Sequence, residues 1–181
     1  MSLTPVIRPR LVLVGPMGAG KTTVGTRVAA SWGVGFRDTD RDVEASEGRT
    51  VSDIFVDSGE VVFRELEREA VAAGLAGHDG VLALGGGAVL DESTRSALAG
   101  HEVVFLRVGL ADAAKRVGLG VSRPLLLGNV RGQIKRLIDE RNPVYESVAT
   151  HVVDTDGLRI DEVVDRVTAA VDSGVEEGSH D

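Results

Sequence analysis

Five short runs of this chain have strand character: 11–14, 34–37, 81–84, 103–107 and 152–154. Between them, apolar positions recur every three or four residues, the period of a helix with one buried face. These stretches cover 21–32, 41–47, 51–57, 60–76, 92–99, 110–117, 130–140 and 159–172. Strands that alternate with helices predict a parallel sheet covered on both faces, since parallel neighbours need a crossover and helices supply it. Val103-Val104-Phe105-Leu106 is apolar at every position, as a strand buried on both faces requires. The expected class is α/β, a three-layer α/β/α arrangement around a central five-stranded parallel sheet. No repeat and no Pro-, Gly- or Ser-rich linker divides the 181 residues, so one domain is expected, with its core over 10–172. Residues 1–8, punctuated by Pro5, and the polar segment 173–181 read as flexible tails.

Composition narrows the chemistry. Aromatic residues make up only 3% of the chain, so the core is aliphatic. The formal charge is −8 and no basic run appears, which argues against a nucleic-acid partner. There is no cysteine, hence no disulfide framework and no thiolate metal site. His78, His101, His151 and His180 lie far apart without ligand spacing and read as surface or loop residues. The first residues lack the apolar core of a signal peptide, and no stretch approaches the roughly 18 apolar residues of a membrane helix. A cytoplasmic protein with no membrane partner is expected, and a monomer, since no exposed apolar stripe demands a second copy.

Open sheets of this kind bind ligands at the carboxyl ends of their strands, so a candidate residue should fall just after a strand. Gly15-Pro16-Met17-Gly18-Ala19-Gly20-Lys21-Thr22 does so, between the run 11–14 and an amphipathic stretch that begins Thr23-Val24-Gly25. It has the form G-x-x-x-x-G-K-[ST] in the strand–helix context that this phosphate-binding loop needs. Backbone N–H groups can turn inward on an anion there, and the following helix adds its positive end. Lys21 can reach the β- and γ-phosphates of a nucleoside triphosphate, and the Thr22 hydroxyl can ligate Mg²⁺. The contacts expected for ATP are Gly18, Ala19, Gly20, Lys21, Thr22 and Thr23.

The second strand runs into Phe36-Arg37-Asp38-Thr39-Asp40. On an extended chain, carboxylates two residues apart point to the same side. One can hold a metal and the other can orient or deprotonate an acceptor hydroxyl; alternatively, Asp40 caps the helix that begins near Asp42. The third strand ends in Gly85-Gly86-Gly87, which removes side chains where a ligand must approach backbone. Leu84 stands where a P-loop protein usually carries a strand-end Asp, which shifts metal work toward Thr22 and Asp38.

Three arginines stand in informative places. Arg64 lies near a helix start among Glu60, Glu65 and Glu67, either as a helix ion pair or as a site residue. Arg123 lies in the glycine-flanked segment 118–128, either an ordinary loop or a lid that brings a guanidinium to the transferring phosphoryl. Arg141 opens Arg141-Asn142-Pro143-Val144-Tyr145, where the proline is expected to bend or restart the helix and aim Arg141 inward.

In this order, the motifs resemble the shikimate kinase family of the nucleoside-monophosphate-kinase-like P-loop proteins, over about 10–172. The resemblance implies a P-loop kinase fold with a short lid. It further implies transfer of the γ-phosphoryl of ATP to the 3-hydroxyl of shikimate, with Mg²⁺ as cofactor. Asp40 would engage the acceptor hydroxyl, Arg64 and Arg141 the shikimate carboxylate, and Gly86, flanked by Gly85 and Gly87, would offer backbone contact. Lys21 and Arg123 would stabilise the transferring phosphoryl, with Thr22 on Mg²⁺ and Asp38 near it. In the family an arginine or proline after the last strand packs on adenine; here that loop has no proline, and Arg159 and Arg116 are the candidates. The nearest rival is another small-molecule kinase of the same fold, such as a gluconate or nucleotide kinase. A non-catalytic nucleotide-binding module would lack Asp40 or Arg123, and both are present.

Overall fold

The computed structural model describes residues 4–118 and 129–177. The expected lid and its Arg123 therefore lie outside the described residues. Five parallel strands stand in the order β2-β3-β1-β4-β5: β1 Leu11–Val14, β2 Phe36–Asp38, β3 Val81–Ala83, β4 Val103–Arg107 and β5 His151–Asp154. The helices are α1 Lys21–Trp32, α2 Thr39–Glu47, α3 Val51–Gly77, α4 Glu92–Ala97, α5 Leu110–Gly118, α6 Val130–Val148 and α7 Ile160–Glu177.

Alternation along β1 builds the layers. Leu11 and Leu13 join Val24 and Val28 of α1 and Val163, Val167 and Val171 of α7 on one face. Val12 and Val14 pack with Val71 and Leu75 of α3 and Tyr145 of α6 on the other. A third, smaller cluster of Val43, Ile54 and Phe63 joins α2 to α3 beside the sheet. The expected α/β/α fold is the one found.

Several boundaries differ from expectation, each for a local reason. Strand β2 starts at Phe36 rather than 34, because the Val34 N–H is spent on the Ala29 carbonyl in closing α1. Helix α2 starts at Thr39 rather than 41, so Asp38 and Asp40 do not share an extended strand: Asp38 ends β2 and caps the helix, and Asp40 lies in its first turn. The stretches 51–57 and 60–76 form one run broken at Gly59. Pro143 neither ends nor restarts α6, which continues to Val148. The proline is exposed, where water can satisfy the carbonyl left one turn back, and buried Ile134, Ile138 and Tyr145 hold the helix on both sides of it. Helix α7 runs to Glu177, past the expected start of the tail at 173, with Gly174 close against Glu102 and His151.

Candidate active site

Strand β1 delivers the phosphate loop to the centre of the sheet, between β3 and β4. Helix α1 then begins with no side-chain cap and no acidic residue in its first turn. The positive end of the helix dipole at such a start favours an anion. Lys21 Nζ donates to the carbonyls of Gly15 (2.6 Å) and Pro16 (3.1 Å), so the ammonium lies inside the loop. Thr22 Oγ1 donates to Asp38 Oδ2 at 3.1 Å, linking the loop to the end of β2. Asp38 Oδ1 accepts from the N–H of Asp40 at 2.9 Å. One carboxylate thus caps α2 and orients the threonine.

A cavity of about 710 Å³ opens beside this loop. Its wall runs from Lys21 and Thr22 past Asp38 and Asp40 to Arg64, Glu67, Gly86, Gly87 and Arg141. The triple glycine makes this convergence possible. A methyl group on Gly85 would sit 2.6 Å from Asp40 Oδ1 and 2.8 Å from Glu67 Oε2; on Gly87, 2.5 Å from Arg64 Nη1. On Gly86 it would lie 3.6 Å from Arg141 Nη1. Two carboxylates and two guanidinium groups therefore close on one stretch of bare backbone. The same stretch is tied to α2, since the Gly85 N–H donates to Thr39 Oγ1 at 3.1 Å.

The charges in this wall are tuned. Burial, with Asp38 and Glu67 nearby, pushes the Asp40 carboxyl up to about 6, against the pull of Lys21. Burial also raises Glu67, opposed by Arg64 and Arg141. Arg64 makes the ion pairs expected of a helix position, with Glu67 at 2.8 Å and Glu60 at 3.5 Å along α3, and also reaches the cavity. Its guanidinium also stands 5.3 Å from the Phe63 ring centroid.

The adenine candidates separate. Arg116 Nη1 donates to the Gly18 carbonyl at 2.9 Å, on the phosphate loop. Arg159 is 79% exposed and faces Glu162 at 3.6 Å, outside the cavity wall. Nearby, Asp156 accepts from the Gly109 N–H at 2.8 Å and so joins the loop after β5 to the start of α5.

Sequence reasoning missed several residues of this wall. Glu67 was legible only as an ion-pair partner of Arg64, yet it falls on the buried stripe of α3 with Phe63 and Val71. A glutamate at an apolar-face position is the signal that could have found it. Phe55 and Phe63, which the sequence did not single out, also line the cavity. Tyr145, one turn after Arg141, lies beneath the glycines and donates to the Gly86 carbonyl at 2.5 Å.

A P-loop at the central strand, with a pocket of acidic and basic side chains at the neighbouring strand ends, is the arrangement of a P-loop phosphotransferase acting on a small molecule. The sequence model of the shikimate kinase family matches residues 17–172. The chain belongs to the shikimate kinase family. It is 60% identical to the shikimate kinase of Frankia casuarinae over 89% of this chain and 72% of that one. With the Salinispora arenicola shikimate kinase the identity is 59%, over 89% and 96%. Among solved structures, the Acinetobacter baumannii shikimate kinase in complex with shikimate has a TM-score of 0.87 and 32% identity, over 93% of this chain and 94% of that one. A gluconokinase from Sinorhizobium meliloti, at 18% identity and a TM-score of 0.54, shares the fold alone.

Proposed function

We propose a division of labour among these residues for the reaction this chain catalyses, transfer of the γ-phosphoryl of ATP to the 3-hydroxyl of shikimate. The observation that carries it is the pair Arg64 and Arg141 set against the glycine stretch, with Asp40 and Lys21 in the same cavity wall. Two guanidinium groups suit one carboxylate, which they can grip through paired N–H donors. Asp40 then takes the acceptor hydroxyl. A carboxyl raised to about 6 is ionised at neutral pH yet basic enough to draw off the proton as the oxygen attacks. Lys21 neutralises charge on the phosphates from within the loop, while the capless start of α1 holds them by backbone N–H groups. Arg123 is assigned to the same charge by resemblance alone, and Arg116 and Arg159 stay the candidates for the adenine end.

The Thr22 hydroxyl and Asp38 carboxylate fit Mg²⁺, a hard cation held by one or two protein oxygens plus substrate phosphates and water. Among the described residues no group of three or more His, Cys, Asp or Glu side chains could hold a metal ion; on this reading substrate phosphates and water complete the coordination. When bound, the ion offsets charge on the triphosphate. We take the acting unit to be a cytoplasmic monomer; no helix among the described residues is long and apolar enough to cross a membrane.

Arg64→Ala tests the carboxylate assignment. Losing a charge-assisted hydrogen bond should raise the shikimate KM by roughly 10- to 100-fold, with the ATP KM little changed. A shikimate KM equal to that of the unaltered protein would refute it.

A further inference from the structure

Tyr145 is the only tyrosine in the chain and is fully buried, with its ring 5.0 Å from that of Phe105. A buried phenol needs a partner for its hydroxyl, and any carbonyl of the core would serve. The partner found is the Gly86 carbonyl, at the centre of the acceptor site. That carbonyl and the Gly87 N–H share one peptide plane, so holding one fixes the direction of the other. Among the described residues, neither the Gly86 nor the Gly87 N–H donates to a protein acceptor. On the other side, Arg141 precedes Tyr145 by one helical turn of α6, and its charge counters the burial that pushes the hydroxyl up to about 12. Its Nη1 also lies 3.6 Å from where a Gly86 methyl would be.

We propose that the Tyr145 hydroxyl is a positioning residue for the acceptor: it locks the 86–87 peptide and the Arg141 guanidinium into one arrangement that receives the carboxylate. This rests on the reading that Arg141 and the glycine stretch take the carboxylate. Thr39 holds the Gly85 end of the stretch from α2, and Tyr145 holds the next peptide from α6. The donors are thereby fixed before substrate arrives, which lowers the ordering cost of binding.

Tyr145→Phe keeps the ring against Phe105 and deletes only the oxygen. The shikimate KM should rise about five- to tenfold while the ATP KM stays within about twofold. In an Arg141→Ala background the same change should cost about two- to threefold, less than in the unaltered protein, because only the 86–87 peptide is left for the hydroxyl to hold. A single-variant shikimate KM within about twofold of the unaltered protein, or an equal loss in both backgrounds, overturns the proposal. An unchanged shikimate KM in Arg141→Ala alone overturns the carboxylate reading and the proposal with it, which distinguishes the two failures. The unaltered protein, ¹³C-labelled at its single tyrosine, gives a reading that needs no variant. The ring-carbon resonance beside the hydroxyl should move on saturation with shikimate and not with ADP. A resonance that shikimate leaves in place, or that ADP moves as far, overturns the proposal.

Discussion

At the scale of single residues, Asp40 is the group whose surroundings most oppose its resting state. Burial, Asp38 and Glu67 all disfavour its ionised form, and Lys21 alone among the main influences supports it. With a folded-state pKa raised from 3.8 to about 6, the folded protein holds more protons than the unfolded chain across that window. Stability therefore falls as pH rises through it, and the penalty is complete at neutral pH, on the order of 2–3 kcal/mol. Asp40→Asn should abolish turnover, yet raise Tm at pH 7.5 by roughly 4–12 °C, with the gain shrinking toward pH 4. A melting series across that pH range checks this, and a lower Tm for the variant at pH 7.5 would contradict it. In the intact enzyme, kcat/KM for shikimate should fall about tenfold per pH unit below the Asp40 pKa, as the base is protonated. Asp40 and the phosphate loop were legible because both follow a strand. Glu67 and Tyr145 were not, because each sits on a helix whose far end, and whose facing glycines, are fixed only by the fold.

At the scale of elements, local signals worked where the chain itself decides the outcome and failed where packing does. The strand–loop–helix unit 11–32 was readable to the residue at its ends, since glycine, lysine and threonine specify that turn in a local pattern. Helix α6 was not, because its passage through Pro143 depends on an exposed proline face and on cores at both ends. The break near 58 in α3 was readable, and its cause is Gly59 at φ +85°, ψ 168°, a conformation only glycine adopts without strain. No atom lies within 4 Å of a methyl group placed there, so backbone strain alone decides the effect of Gly59→Ala. The expected loss is about 1–3 kcal/mol, seen as a Tm lower by roughly 2–4 °C per kcal/mol. A variant that melts at or above the Tm of the unaltered chain would mean that α3 straightens through the break.

At the scale of the whole molecule, strand order determines which chemistry meets. Placing β1 between β3 and β4 sets the phosphate loop beside the glycine stretch on one side and the α5 and β5–α7 edge on the other. The first pairing brings Lys21 toward Asp40; the second brings Arg116 to Gly18. The α/β class and the parallel sheet could be read from alternating periods. The order of the strands could not, since hydrophobic patterning carries no record of which strand lies beside which. The fold also does not choose the acceptor, because the gluconokinase neighbour shares it. Gluconate also carries a carboxylate, so two guanidinium groups do not separate the two acids; the family membership makes that choice. The most direct measurement is ADP release by the purified protein with Mg²⁺ and ATP, offered shikimate, gluconate or AMP side by side, with the product located by ³¹P NMR. Rapid ADP release with shikimate alone, and phosphate on its 3-hydroxyl, is the predicted result. No release with shikimate, or equal release with gluconate, would contradict the account.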